Sequence, residues 1–266
     1  MLGEQVDVVA RNNVTVSGTG RPIVFAHGFG CSQDMWRFVA PEFDDHQVVL
    51  FDHVGAGRSD LSAYRPGKYD SLEGYAGDVV EILEQLDLND VVLVGHSVGS
   101  IIGLLAANRI PSRIGALVLV GPSPRYIDTD DYTGGFSQAD IDALLDGLDA
   151  NYFGWAESIA PAMMGAPDQP ELSDELSDSF CSTDPTIARH FARVTFLSDN
   201  RADLPRVGAP TLIIQSRDDV IAPVGVGRYV ADHVPDSELV ILPVTGHCPH
   251  LSAPAQVVAA IRNFLP

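Results

Sequence analysis

One stretch of the sequence, VVLVGHSVGSIIGLLAA at positions 91–107, places a short polar cluster between two apolar runs of different periodicity. The first run, Val91–Val94, is uniformly apolar, which is typical of a strand buried on both faces. After the cluster the apolar residues return with helical spacing. The sequence therefore predicts that Ser97 stands at a corner where a buried strand turns directly into a helix.

Strand and helix patterns alternate on both sides of this corner. Gln5–Val9 and Asn13–Ser17 predict an edge hairpin. Further strands are predicted at Pro22–Ala26, Val48–Phe51, Ala116–Val120, Thr211–Gln215 and Leu239–Leu242, and helices at Ser71–Leu86 and Pro254–Phe264. Such alternation implies an α/β fold with a mostly parallel, twisted sheet covered by helices on both faces.

The alternation lapses between Pro122 and about Asp203, where no buried strand pattern occurs. This region has only amphipathic helical candidates, at Gln138–Tyr152, Glu171–Phe180 and Pro185–Leu197. We therefore expect one α/β core, formed by residues 1–121 and 206–266, that carries an all-helical insertion at 122–205.

Charge and composition exclude several classes of partner. Acidic residues outnumber basic ones by 36 to 16, the formal net charge is −20, and Lys68 is the only lysine. Such a surface repels phosphate backbones, so no nucleic-acid partner is expected.

No apolar run suits a membrane span and no secretory signal opens the sequence, so no membrane association is expected. The three cysteines, Cys31, Cys181 and Cys248, are too scattered for a disulfide framework or a zinc site, which favours a reducing, cytoplasmic setting.

The corner itself has the spacing Gly95-x-Ser97-x-Gly99, which fits a nucleophile elbow. In such a turn the flanking glycines avoid clashes and the serine hydroxyl is presented to substrate. The start of the following helix adds partial positive charge and free N–H groups where an oxyanion would form. A serine needs a base to accept its proton, so a histidine and an acid are expected later in the chain.

Four histidines follow the elbow. His190 falls in the helical insertion and His233 at a polar helix end, whereas His247 occupies a loop after a strand, where a base can reach the serine. His247 is the favoured base, and His250 in the same loop is the alternative.

The acid is expected in the loop directly after strand Thr211–Gln215, because open α/β sheets place their sites at the carboxyl ends of their strands. Asp218 and Asp219 both lie there, and spacing does not separate them. On the other side of the elbow, the loop that begins at His27 can present a second amide. Phe29 N–H and Val98 N–H are therefore the predicted oxyanion hole.

The insertion is also expected to form the substrate pocket. It has no cluster of arginine or lysine for an anionic substrate, and its aromatic and aliphatic residues favour an apolar ester or lactone. The predicted pocket residues are Phe136, Trp155, Phe191, Val194, Phe196 and Val220.

Five motifs, HGFG, FDHVGAGRSD, VGHSVG, SRDDVIAP and GHCPHLSAP, resemble the α/β-hydrolase superfamily in order and spacing over nearly the whole chain. GHSVG together with GHCPHLSAP is similar to the bacterial stress-regulator hydrolase RsbQ and to the plant karrikin and strigolactone receptors. The resemblance implies a catalytic triad of Ser97, Asp219 and His247, oxyanion donors at Phe29 and Val98, and a four-helix lid over an apolar pocket. It implies no cofactor and no metal.

Two classes of function follow from this resemblance. The first is a serine hydrolase, carboxylesterase-like, that cleaves a small hydrophobic ester or lactone in an RsbQ-like stress response. The second is a ligand-sensing module that activates a partner phosphatase or regulator protein with little turnover. A general esterase or a cofactor-free perhydrolase with the same triad is a further alternative.

Overall fold

Seven strands form one sheet in the part of the chain that the computed structural model describes, residues 7–266. In chain order they are β1 Thr15–Ser17, β2 Pro22–Ala26, β3 Gln47–Leu50, β4 Val91–His96, β5 Ile114–Val120, β6 Thr211–Asp218 and β7 Ser237–Thr245. Across the sheet the order is β1-β3-β2-β4-β5-β6-β7. Only β1 and β3 pair antiparallel, and every other neighbouring pair is parallel. The predicted mostly parallel sheet is confirmed.

Helices cover both faces of this sheet. In chain order, the α-helices of residues 7–266 are α1 Val8–Arg11, α2 Leu72–Gln85, α3 Val98–Arg109, α4 Gln138–Ala150, α5 Tyr152–Met164, α6 Pro170–Ser182, α7 Pro185–Phe196, α8 Val224–His233, α9 Pro249–Ser252 and α10 Pro254–Phe264. On one face, α2, α3 and α8 bury their apolar sides in a large core that extends into α4–α7. On the other face, Val257 and Ile261 of α10 pack with Trp36 and Phe43 against the strands. Strand β4 is buried along its whole length, as its uniformly apolar run predicts.

The predicted edge hairpin is wrong over the residues that the structure describes. Gln5 and the residue after it lie outside those residues, whereas Val8–Arg11 is helical. The Asp7 carboxylate caps this short helix by accepting hydrogen bonds from the N–H groups of Val9 and Ala10. The apolar alternation suggested a strand, but the cap selects a helical turn. Thr15–Ser17 is a strand at the sheet edge, and its partner is β3.

Four helices, α4–α7, fill the chain between β5 and β6. Four is the number of helices that the resemblance implied; three of them match the helical candidates of the sequence pattern, and α5 was not among those candidates. Its sequence contains Gly154 and Pro161, which weaken a helical pattern. The Asn151 side chain begins α5 by accepting a hydrogen bond from Gly154 N–H at 3.1 Å. Within residues 7–266, no helix combines the length and the apolar character that crossing a bilayer requires.

Candidate active site

Ser97 occupies the turn between β4 and α3 in a strained backbone conformation, with φ of 53° and ψ of −125°. Its N–H donates a 2.8 Å hydrogen bond to the carbonyl oxygen of Val120 on the neighbouring strand β5. Ser100 Oγ donates a 2.7 Å bond to the carbonyl of Gly95, which closes the turn from the helix side. The strained residue is therefore held by the sheet on one side and by the helix on the other.

The two glycines of the motif are required by close approach of the backbone. A Cβ atom on Gly95 would overlap the carbonyl oxygen of Gly99. A Cβ atom on Gly99 would overlap the carbonyl oxygen of His27 at the end of β2. Only glycine lets α3 start this close to the sheet, which explains the G-x-S-x-G spacing physically.

A continuous hydrogen-bonded chain joins three buried side chains from distant parts of the sequence. His247 Nδ1 is 2.8 Å from Asp219 Oδ2, and His247 Nε2 is 2.8 Å from Ser97 Oγ. Because the carboxylate can only accept, the proton of the neutral ring lies on Nδ1. The Nε2 lone pair then faces the serine hydroxyl, which donates to it. This is the arrangement in which the ring can remove the hydroxyl proton.

The two candidate acids occupy opposite environments. Asp219 is buried, and its Oδ1 accepts hydrogen bonds from the N–H groups of Ile221 at 2.8 Å and Ala222 at 3.1 Å. Gln215 Nε2 donates to Asp219 Oδ2 at 3.3 Å. Asp218 instead points to solvent, where its side chain contacts Arg217. The ambiguity that spacing left open is resolved, because only Asp219 contacts His247.

The histidine loop is fixed by two contacts that sequence reasoning missed. His96 Nε2 donates a 2.9 Å hydrogen bond to the backbone carbonyl of His247. The His247 N–H donates to the carbonyl of Met163 at the end of α5, at 2.6 Å. The position of His96 beside Ser97 was the only signal for the first contact. No sequence signal exists for the second, because it uses a backbone carbonyl.

The other histidines after the elbow do not touch Ser97. His250 packs its ring 4.2 Å from that of His96, and burial together with His247 and Arg37 lowers the pKa of His250 to about 3. His190 in α7 is hydrogen-bonded to the Tyr64 hydroxyl at 2.6 Å. His233 is exposed at the end of α8.

Phe29 and Val98, whose N–H groups are the predicted oxyanion hole, both lie near Ser97. Val98 is the first residue of α3, so its N–H has no acceptor within the helix. Phe29 lies in the turn after β2, and its N–H donates to no acceptor among residues 7–266. The tight packing of Gly28 against His96 and Ser97 brings the Phe29 loop to the serine. Both donors are thus free for a ligand oxygen.

A narrow, mainly apolar cavity opens above Ser97 and His247. Of the predicted pocket residues, Trp155 and Phe196 line it. The others lie elsewhere: Phe191 borders a neighbouring cavity, Val194 a surface groove, Phe136 packs on the core, and Val220 is 52% exposed. Helical spacing identified α7, which carries Phe191, Val194 and Phe196, but not which of its faces turns toward the serine.

Two thiols and one phenol in the cavity wall stay protonated at neutral pH. Cys31 and Cys248 line it, and burial raises the pKa of Cys31 to about 12 and that of Cys248 well above its usual value. Tyr126 also lines it, and its pKa is raised to about 12, again mainly by burial. Protonated thiols and a neutral phenol suit an apolar ligand. In residues 7–266, no group of three or more His, Cys, Asp or Glu side chains is arranged to hold a metal ion.

Comparison with known proteins assigns the family. The model of the alpha/beta hydrolase family matches residues 23–261, nearly the whole described chain. The chain belongs to the alpha/beta hydrolase family. The sheet order, the serine corner after β4 and the helices inserted between β5 and β6 accordingly constitute an α/β-hydrolase fold.

Several known proteins resemble this alpha/beta hydrolase over nearly their full length. Strigolactone esterase D14 of Arabidopsis thaliana is 37% identical over 98% of this chain and 99% of its own. The karrikin insensitive 2 receptor CA of Petunia hybrida is 37% identical over 96% of this chain and 95% of its own. A solved hydrolase from Oleispira antarctica has a TM-score of 0.94 at 44% identity, covering 97% of this chain and 96% of that one. The expected similarity to the plant receptors is confirmed.

Proposed function

We propose that this alpha/beta hydrolase is a serine esterase or lactonase acting on a small hydrophobic substrate. The observation that carries the proposal is the relay of 2.8 Å contacts from Ser97 through His247 to Asp219. Ser97 Oγ attacks the acyl carbon while His247 Nε2 takes its proton. Asp219 holds the imidazole in the required tautomer and stabilises the imidazolium that forms.

The tetrahedral intermediate places negative charge on the former carbonyl oxygen. In the proposed mechanism the N–H groups of Phe29 and Val98 bind that oxygen, and the start of α3 adds partial positive charge. His247 then returns the proton to the leaving alcohol. A water molecule, activated by the same histidine, attacks the acyl-enzyme and releases the acid.

The substrate class follows from the cavity above the serine. Its walls are aromatic, aliphatic or neutral, so an uncharged ester or lactone is desolvated there at little cost, whereas an anion is not. Trp155 and Phe196 come from α5 and α7, which supports residues 122–205 as a lid domain over a core of 1–121 and 206–266.

Covalent labelling tests the site directly. A serine-reactive phosphonate should add its mass to the peptide that contains Ser97, and to no other. A panel of short-chain esters and butenolides should then be hydrolysed by the unchanged protein and not by Ser97→Ala. Labelling at another residue, or full activity in Ser97→Ala, would refute the assignment.

A second candidate is an RsbQ-like ligand sensor that signals to a partner protein, with a phosphatase or regulator protein as the partner class. The observation that favours it is the 37% identity with a karrikin insensitive 2 receptor over 96% of the chain. Ser97→Ala separates the two candidates. Signalling that persists without turnover supports the sensor, whereas joint loss of esterase activity and signalling supports hydrolysis as part of the signal.

A further inference from the structure

Tyr126 is a buried tyrosine in the loop that follows strand β5, at the start of the chain inserted between β5 and β6. Its side chain is only 2% exposed and lines the catalytic cavity together with Ser97 and His247. The centroid of its ring lies 5.0 Å from that of Phe196 on α7. The ring is thus held by apolar packing beside the reacting groups.

Hydrogen bonds to the backbone also fix the loop around Tyr126. Its carbonyl accepts from Phe136 N–H at 3.2 Å, and the carbonyl of the preceding residue, Arg125, accepts from the Tyr132 hydroxyl at 2.7 Å. The chain approaches itself closely here, since a Cβ atom on Gly134 would overlap the Tyr126 carbonyl oxygen. The Tyr126 side chain is therefore positioned by the fold before any substrate binds, as a catalytic group requires.

The hydroxyl of Tyr126 is a hydrogen-bond donor to the nucleophile. Burial raises the pKa of Tyr126 to about 12, and a hydrogen bond with the Ser97 side chain has a smaller, opposite effect on that pKa. The phenol therefore keeps its proton at neutral pH. Because the Ser97 hydroxyl donates its own proton to His247 Nε2, its oxygen accepts from Tyr126. The hydrogen-bonded chain thus begins at Tyr126 and runs through Ser97 and His247 to Asp219.

The side from which Tyr126 reaches Ser97 follows from the order of the strands. Phe29 lies in the turn after β2, on one side of β4, whereas Tyr126 lies in the loop after β5, on the other side. Asp219 and His247 follow β6 and β7, on the same side as Tyr126. Tyr126 therefore approaches Oγ from the histidine side, away from the Phe29 amide of the predicted oxyanion hole.

We propose that Tyr126 is a further catalytic residue, whose hydroxyl donates a hydrogen bond to Ser97 Oγ while the acyl-enzyme is hydrolysed. This role rests on the proposed esterase function and adds one group to its second half-reaction. Once water has added to the acyl carbon, the bond from that carbon to Oγ breaks and its electron pair goes to Oγ. His247 Nε2 gives its proton to Oγ. The phenol keeps its own proton and stabilises the negative charge that develops on Oγ.

The gain from this hydrogen bond differs between the two half-reactions. In the free enzyme Oγ already accepts from Tyr126, so acylation starts with the bond in place. In the acyl-enzyme Oγ is an ester oxygen, which is a weak acceptor, and it becomes a strong one only as water adds and its bond to carbon breaks. Only an interaction that strengthens on the way to the transition state accelerates a step, so deacylation gains and acylation does not.

Tyr126→Phe tests this role, because it removes the hydroxyl and keeps the ring. Stopped-flow kinetics with p-nitrophenyl acetate measures acylation in the burst of nitrophenol and deacylation in the steady state that follows. In Tyr126→Phe the deacylation rate should fall by about tenfold or more, while the acylation rate stays within about twofold. Mass spectrometry of the quenched protein should show a larger steady-state fraction of Ser97 carrying the acetyl group.

Two controls separate catalysis from structure. Tyr132→Phe removes a hydroxyl of the same loop that donates to the Arg125 carbonyl rather than to the nucleophile. It should lower stability and leave the ratio of the deacylation rate to the acylation rate unchanged. Phenyl acetate forms the same acetyl-enzyme as p-nitrophenyl acetate, so each protein should deacylate at the same rate after reaction with either ester.

The outcomes for Tyr126 and for the esterase function are distinct. Equal slowing of both steps in Tyr126→Phe, slowing of acylation alone, or no slowing of either step would overturn the catalytic role of Tyr126 and leave the esterase function intact. The esterase function itself fails on a different result, in which the unchanged protein takes neither an acetyl group nor the phosphonate label at Ser97.

Discussion

At the scale of single residues, Asp218 and Asp219 show how one position along a strand end changes the role of a carboxylate. The Asp219 side chain is buried and accepts from two backbone amides, from Gln215 and from His247. The side chain of Asp218 is exposed, and only its backbone carbonyl supports the site, by accepting from Gly246 N–H at 2.8 Å. The strand end thus directs the Asp219 carboxylate to His247 and the carboxylate of the preceding residue, Asp218, to solvent.

We expect Asp219→Asn to lower kcat by about 10³- to 10⁴-fold, because an amide stabilises the wrong imidazole tautomer. Asp218→Asn is the matched control and should retain nearly all activity, since its backbone carbonyl is unchanged. Steady-state kinetics on one ester measures both variants. Equal losses in the two would contradict the assignment of Asp219.

At the scale of elements, α5 and the elbow helix α3 determine the shape of the site. α5 supplies Trp155 and Met163 to the cavity wall, and the Met163 carbonyl also holds the histidine loop. α3 begins directly at Ser97 and lies close to the end of β2. The catalytic geometry therefore depends on how closely these two helices approach the sheet.

Two glycines in α3 test the requirement for close packing. Gly99→Ala places a Cβ against the His27 carbonyl and should cost several kcal/mol of stability together with most of the esterase activity. Gly103→Ala places its Cβ at an ordinary 3.4 Å from Leu93 Cδ2. It should be tolerated, with up to about 1 kcal/mol gained from helix propensity. Urea unfolding and ester hydrolysis distinguish them, and a stable, active Gly99→Ala would disprove the close-packing explanation.

At the scale of the whole molecule, acidification has two opposite effects on the free energy of unfolding. The protonation of buried histidines lowers it, and the loss of negative charge raises it. Four buried histidines, His27, His53, His96 and His250, have pKa values lowered mainly by burial, so they stay neutral in the folded protein. Acidification also reduces the repulsion within a chain of net charge −20, which favours the folded state. Salt screens that repulsion and leaves the buried histidines unaffected.

We therefore expect stability to fall as the pH drops below about 6.5 in a buffer of about 0.5 M salt. The unfolded chain binds protons that the folded chain excludes, so each histidine contributes a slope of about 1.4 kcal/mol per pH unit. His250→Asn should reduce the slope by about that amount. Urea titrations at several pH values measure it, and a stability that is constant or rises on acidification would contradict the prediction.

The fold was predictable from the sequence to a large extent because its signals are local. Apolar runs identified every strand from Pro22–Ala26 onward, and helical spacing identified three of the four inserted helices. The failures also have local causes. The Asp7 cap turned a predicted strand into a helical turn, and Gly154 and Pro161 concealed α5.

The sequence by itself determined the alternation of strands and helices, the serine corner and the order in which serine, acid and histidine follow one another. Each of these depends on residues close together in the chain. Only the tertiary structure decided that Asp219 rather than Asp218 contacts His247, that His96 holds the histidine loop, and which aromatic rings face Ser97. These outcomes depend on the side chains that distant elements present to one another, and the periodicity of a single segment carries no information about its partner's position.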